Sequence, residues 1–266
     1  MRLNSIPGKI VQLQRASPSL WMSFLNGWLS RRQSSLVPCV ISGCRQLLKV
    51  PLKEFYESYQ FFCEQGPGTH ELDFFLGKLR PGDVFYDIGG FRGAYSAAAK
   101  LKLQAAVSVH IFEPLARNAD AIQAVVAGNN FADFKINRLA VSDGATISGS
   151  VNEQEAMLRL GDKQATTPVE FASIAMDQYV VRGNPPPSVI KIDVDGFELH
   201  VLRSGEKTLR ERRPRLWLEV HPGFLNAQGQ SVEIVLKFLR NLGYTLANFD
   251  DFHYPGAGNS YHIWCE

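Results

Sequence analysis

The chain has 266 residues, 45% of them hydrophobic and 20% charged, with a formal net charge of +2. This composition excludes collagen-like, disulfide-framework and fully disordered classes and fits one large domain with an extension. The near-neutral total hides a division. Residues 1–50 carry Arg2, Lys9, Arg15, Arg31, Arg32, Arg45 and Lys49 and no acid, which is +7 and leaves −5 for residues 51–266. Cys39, Cys44, Cys63 and Cys265 form no CxxC pair and read as reduced thiols of a cytoplasmic protein. No apolar run approaches the roughly 20 residues of a membrane span. The stretch Leu20–Leu29, interrupted by Asn26-Gly27, lacks the form of a signal peptide.

In chain order, Trp21, Phe24, Leu25 and Trp28 fall at i, i+3, i+4 and i+7 and predict one apolar face of a short helix. On a basic background such a helix suits peripheral contact with an anionic membrane, although packing onto the domain as a cap is the favoured reading. Residues 1–67 are expected to form a basic, mainly helical extension or cap, with a second helix over Lys53–Cys63 ended by Gly66-Pro67-Gly68. Residues 68–266 form the main domain. Thr69 predicts an N-cap, ahead of a helix face built from Leu72, Phe75, Leu76 and Leu79. Val84–Tyr86 reads as a buried strand, Tyr95–Leu103 as a helix, Ala106–Phe112 as a strand, Asn118–Ala127 as a helix and Phe134–Val141 as a strand. Thr146–Thr167 is a polar, antiparallel excursion, Ile174–Val181 a short amphipathic element and Pro185–Pro187 a loop. Val189–Val194 is the next buried strand, followed by a helix over Phe197–Leu209, a strand over Arg215–Val220 and a helix over Ser231–Leu242. Tyr244–Phe249 and Tyr261–Cys265 close the chain as a hairpin. This alternation predicts an α/β fold, a mostly parallel sheet with helices on both faces.

Chemistry concentrates at five strand ends. The first carries Asp87-Ile88-Gly89-Gly90-Phe91-Arg92-Gly93, an acid followed by a glycine turn into a helix. Glycines there let a ligand approach the backbone and meet helix amides. A dinucleotide fingerprint needs glycine at position 88, and an acid beside the turn repels pyrophosphate, so a cofactor with a cationic amino group fits better. The second strand ends in Glu113-Pro114, where a carboxylate can accept ribose hydroxyls and Pro114 can start the next helix. Ala140 and Asp143 follow the third strand, near the place of an adenine; Asp143-Gly144 equally suits an Asx turn. The fourth strand brings Asp193 into the cleft. Asp195 and Glu198 beside it could share a divalent ion, but the first turn of a helix is the favoured reading, and no metal is predicted. Glu219 and His221 lie on one face of the next strand, which makes His221 a candidate general base. The run Arg210–Arg215 falls on the opposite edge and reads as a solvated turn, so no nucleic-acid partner is expected.

Together, the DIGGFRG turn, the IFEP strand end and the VIKIDVDGFELHVLRSGE segment with its downstream LWLEVHP resemble class I S-adenosylmethionine-dependent methyltransferases. The closer resemblance is to the FkbM family, from about Gly68 to the C-terminus. The resemblance implies a Rossmann-like sheet of order 3-2-1-4-5-7-6 with strand 7 antiparallel, and methyl transfer to a hydroxyl of a sugar, glycan or natural product. It implies that Asp87, Gly89, Gly90 and Gly93 hold the methionine moiety, that Glu113 holds the ribose with Pro114, Ala140 and Asp143 nearby, and that Asp193 lies at the transferred methyl. The catalytic set is then Asp193, His221 and Glu219, and the partner a small-molecule or carbohydrate acceptor. Family turns commonly read D-x-G-A-N-x-G, whereas this chain has Gly90 and Phe91, and Asp195 stands for a more usual Glu. The alternatives are a non-catalytic binding module of the same fold and a haloacid-dehalogenase-like phosphatase using Asp193.

Overall fold

The computed structural model describes residues 36–63, 66–152, 157–158, 167–248 and 260–266. The aromatic face at Trp21–Trp28 lies outside them. The described chain begins with a hairpin of β1 (Leu36–Val40) and β2 (Leu47–Pro51), then α1 (Leu52–Glu57), a 3-10 turn over Tyr59–Phe62, and α2 (Thr69–Lys78). The alternating region follows as β3 (Asp83–Ile88), α3 (Ala94–Leu103), β4 (Val107–Phe112), α4 (Ala116–Asn129) and β5 (Phe134–Asn137). Next come β6 (Ala140–Val141), β7 (Ile147–Asn152), β8 (Met157–Leu158), β9 (Thr167–Phe171), β10 (Ser173–Ile174) and α5 (Met176–Val181). The chain closes through β11 (Val189–Ile192), α6 (Glu198–Ser204), α7 (Glu206–Arg212), β12 (Arg215–Val220), α8 (Pro222–Ala227), α9 (Val232–Asn241), β13 (Leu246–Asn248) and β14 (Tyr261–Cys265).

Seven strands form the central sheet in the order β5-β4-β3-β11-β12-β14-β13. Numbered along the chain, that order is 3-2-1-4-5-7-6, and β14 runs antiparallel to both of its neighbours. The inner strands are mostly apolar, as burial on both faces requires, with Asp87, His110, Lys191 and Glu219 as polar interruptions. Their alternation splits the core into two clusters. Tyr86, Ile88, Ile190 and Ile192 face the layer of α5 to α9, whereas Phe85, Val109, Val189, Trp217 and Trp264 face α2, α3 and the N-terminal hairpin. Asp87 and Lys191, which are register partners, therefore point towards the second layer.

Several boundaries differ from the sequence reading. Where a mainly helical extension is expected, residues 36–51 form a hairpin, and Ile41, Leu48 and Val50 share the core of the main domain. The hairpin also docks on α4, where Lys49 and Asn129 exchange two hydrogen bonds through the Asn129 side chain. Thr69 is the first residue of α2, and its hydroxyl donates back to the Gly66 carbonyl at 2.6 Å. Pro114 precedes α4, whose first residue is Ala116. The helix expected over Phe197–Leu209 divides at Gly205, which packs on Met176. Asp177 restarts it, accepting from the Thr208 and Lys207 amides at 2.8 and 3.1 Å, which satisfies exposed helix N–H groups. The Arg210–Arg215 run is engaged locally: Arg213 donates to the Leu242 carbonyl and Arg215 pairs with Asp83 at 2.6 Å. Among the described residues no helix is long and apolar enough to cross a membrane.

Because the hairpin shares the domain core, Leu48→Ala should lower the unfolding free energy of the whole domain by about 3 kcal/mol, as for other buried leucines. Denaturant titration should then show a single shifted transition, whereas an independent appendage would leave that midpoint unchanged.

Candidate active site

The turn after β3 brings two strand ends into contact. Gly89 adopts φ 78°, and a side chain there would collide with the carbonyl of Asp193 at the end of β11. Gly90 has no room for a methyl either, because Ile111 on β4 fills the space. The Gly89 and Gly90 amides both donate to the Phe112 carbonyl, at 3.1 and 3.2 Å. Phe91 follows in the left-handed region at φ 47°, and its N–H donates to Glu113 Oε2 at 2.9 Å. The other oxygen of Glu113 accepts from the Leu115 amide at 3.0 Å and from Asn118 Nδ2 at 3.2 Å. Burial still dominates and pushes the Glu113 carboxyl up to about 7.

One cavity runs from Glu113, Pro114 and Ala140, past Gly89, to Asp193 and Asp195. Among the described residues its lining carries three carboxylates, those of Glu113, Asp193 and Asp195, and no Lys, Arg or His. The apolar wall is made by Phe112, Val141, Ile147 and Phe171. Among the expected cofactor residues, Gly89, Glu113, Pro114 and Ala140 line this cavity, while Gly90 and Gly93 shape the turn behind it. Asp87 is also behind the turn. It is buried, its Oδ2 accepts from Ser96 at 2.5 Å, and its Oδ1 has no hydrogen-bond partner among the described residues. Asp143 is exposed and accepts from the Ala145 amide at 3.0 Å in an Asx turn, and it is not among the residues that line the cavity.

The far end is a charge network. Lys191 Nζ lies 2.9 Å from Asp193 Oδ2 and 3.9 Å from Asp87 Oδ1. Asp195 takes φ 45° before Gly196 and points into the cavity rather than capping α6. Glu198 opens α6, accepts from the Gly196 amide at 3.0 Å and meets His221 Nδ1 at 2.9 Å. His221 Nε2 faces Glu219 at 3.4 Å, Asp195 at 3.5 Å and Asp193 at 3.9 Å. Glu219 also meets His262 at 3.2 Å, and His262 reaches Glu71 at 3.6 Å. The structure thus brings Asp193, Glu219 and His221 together, as strand alternation requires.

Protonation alters their roles. Burial alone would lower the His221 pKa, but hydrogen bonds to Glu198 and Glu219 and the charge of Asp193 outweigh it and raise it to about 11. A pKa so raised favours the imidazolium at neutral pH, a form that does not accept a proton, whereas the sequence reading has His221 as a general base. Glu219 is held well below its ordinary value, because His221 and His262 overcome its own desolvation. Desolvation lifts Asp195 to about 7 despite the attraction of His221. Donor atoms of Asp193, Glu219 and His221 lie within 4.8 Å of one another, close enough to share an ion, yet Lys191 and His262 already balance two of these groups. Sequence reasoning passes over Lys191, His262, Glu71 and Asn118. A lysine inside the apolar run Val189–Ile192 is the one visible signal among them.

Comparison with known proteins gives this geometry a setting. The profile of the Methyltransferase FkbM domain matches residues 83–246. An FkbM methyltransferase structure from Methylobacillus flagellatus KT is similar, with TM-score 0.51 and 19% identity, over 80% of this chain and 54% of that one. The chain thus spans about half the length of that protein. An S-adenosylmethionine-dependent O-methyltransferase from Thermotoga maritima aligns with TM-score 0.46 and 12% identity over 74% of this chain and 64% of that one. A putative methyltransferase from Streptococcus mutans in complex with S-adenosylhomocysteine gives 0.46 and 11% over 75% and 96%. No curated protein sequence is significantly similar.

The raised pKa of His221 gives a direct test. Its contribution to stability is whole below its ordinary 6.5 and is lost as pH rises through about 11. Nitrogen NMR of the imidazole should show both ring nitrogens protonated at pH 8, and Glu198→Gln should move the titration towards neutrality. A His221 titrating near 6.5 in the wild type would restore it as a base.

Proposed function

Because the chain belongs to the FkbM methyltransferase family, we propose that it is an S-adenosylmethionine-dependent O-methyltransferase acting on a hydroxyl of a sugar, glycan or natural-product small molecule. The observation that carries this reading is the charge of the cavity lining: among the described residues, three carboxylates and no cationic side chain. Such a lining disfavours pyrophosphate cofactors and suits a ligand bearing sulfonium and ammonium charges. Glu113 would hold the ribose hydroxyls, and the wall of Phe112, Val141, Ile147 and Phe171 the adenine. Asp87 would act through the turn it underlies, since its carboxyl carbon lies against Gly90. The fit extends to its buried Oδ1, which is free of hydrogen bonds among the described residues.

When bound, the sulfonium supplies a methyl group already activated for transfer. The chain then has to hold the incoming oxygen in line and receive its proton. Asp193 marks the reacting end, and Lys191 fixes its carboxylate from behind at 2.9 Å. Asp195, in the same cavity with its carboxyl raised to about 7, is suited to take the hydroxyl proton. The His221 imidazolium draws Asp193, Asp195 and Glu219 towards one point and keeps their charges from driving them apart. The phosphatase reading of Asp193 is the weaker one, because the three carboxylates that line the cavity among the described residues disfavour a phosphate ester.

Calorimetry with S-adenosylhomocysteine tests cofactor binding: the wild type should bind, and Glu113→Ala should weaken binding about 10- to 100-fold, the worth of hydrogen bonds to a charged group. No binding by the wild type would overturn the reading. Turnover on a panel of hydroxylated acceptors should rise with pH through about 7, as Asp195 ionises. Asp195→Asn should remove that limb, and an unaltered profile would remove Asp195 as the proton acceptor.

A further inference from the structure

The DIGGFRG turn contains an arginine that does not face the cavity. Arg92 is 1% exposed, and its guanidinium points into the N-terminal segment, pairing with Glu54 of α1 through Nη1 and with Glu57 through Nη2 at 2.7 Å. The peptide next to it is held from the same side: the buried Tyr59 hydroxyl donates to the Arg92 carbonyl at 2.7 Å. We infer that residues 52–62 set cofactor affinity by clamping the glycine turn, with Glu54 and Tyr59 as positioning residues acting through Arg92. The inference rests on the S-adenosylmethionine reading of the cavity.

Three consecutive residues are fixed by three separate contacts. The Phe91 N–H is tied to Glu113 at 2.9 Å, the Arg92 carbonyl to Tyr59, and the Gly93 N–H to the Gly90 carbonyl at 2.7 Å. Such over-determination is what a left-handed phenylalanine requires, because Phe91 at φ 47° adopts a conformation that an aromatic residue avoids in an unconstrained loop. The Arg92 guanidinium also lies over the Phe91 ring at 5.3 Å, which couples the two side chains. A displacement of Arg92 is passed to Phe91, the residue before it, whose own N–H donates to Glu113, the carboxylate placed to receive the ribose. The segment before residue 68 therefore belongs to the cofactor site energetically, although none of its described residues lines the cavity.

Coupling of this kind is reciprocal: what tightens the segment tightens the cofactor, and the cofactor in turn protects the segment. The full chain carrying E54Q or Y59F should bind S-adenosylhomocysteine about 5- to 20-fold more weakly, within the usual range of coupling between sites. The KM for S-adenosylmethionine should rise by the same factor with kcat within about twofold, because the reacting end is untouched. Glu54→Asp should recover part of the affinity. In the wild type, S-adenosylhomocysteine should slow amide exchange across residues 59–63, and Y59F should abolish that protection. Variants that fold and bind like the wild type, or a kcat loss at constant KM, would overturn the clamp. If neither variant folds, the wild-type exchange experiment decides, with unprotected residues 59–63 overturning it. Failure of the wild type to bind overturns the cofactor reading as well, so the two failures are distinguishable.

Discussion

A buried ammonium in the middle of a central strand organises the cleft. Lys191 sits where β11 would otherwise be apolar, and burial alone would strip its proton. Asp193 and Asp87 reverse that effect and hold its pKa up. The Gly89 carbonyl at 3.4 Å and the Tyr95 ring at 5.2 Å complete its surroundings. Leaving one partner of such a buried pair alone costs about 3–5 kcal/mol, so the acids at the ends of β3 and β11 cannot relax independently. The close approach of Gly89 to the Asp193 carbonyl has the same consequence in steric form. Charge and backbone contact together bind the glycine turn to the reacting end.

Around this pair the acids divide by depth. Asp87, Glu198 and Glu71 are buried behind the cavity and engaged with Ser96, His221 and Tyr95. Glu113, Asp193 and Asp195 reach its surface. His221 and His262 stay on the buried side, where the surrounding carboxylates favour their protonated forms, so acids line the cavity and their counter-charges lie behind it. A site built this way favours a positively charged ligand without exposing an unpaired charge in the core. The N-terminal segment adds a second support from outside the sheet, since Glu54 and Tyr59 hold the backbone that feeds Glu113 its hydrogen bond.

Much of this arrangement is legible in the amino-acid sequence. Apolar runs such as Val189–Ile192 and Arg215–Val220 become strands at or near their sequence limits, because burial on both faces leaves few other uses for such runs. The glycine turn, Glu113 at the end of β4 and Asp193 at the end of β11 meet in one cavity because parallel strands align their carboxyl ends. Other features are not legible there. The break at Gly205 depends on Met176 and Asp177, which are distant in sequence, and the hairpin at Leu36–Pro51 depends on a core surface supplied by later elements. Asp143 and Asp195 each admit two readings, turn or cap against cleft. The chain uses Asp143 in a turn and Asp195 in the cleft.

The sequence by itself determined the alternation of strands and helices, the sites of the acids and glycines, and the family to which they belong. These depend on periodicity and on residue types at strand ends, which are local properties. Only the tertiary structure decided which acids face the cavity, that His221 lies among carboxylates that favour its protonated form, and that Arg92 serves the N-terminal segment rather than the cavity. Each of those outcomes depends on burial and on partners tens of residues away. The +7 at the start of the chain is visible as composition, but the working contact of the described N-terminal segment is made by its acids, Glu54 and Glu57, against a buried arginine. Burial strengthens the attraction within that pairing and at the same time costs each charge its hydration, and both effects exist only once the chain is folded.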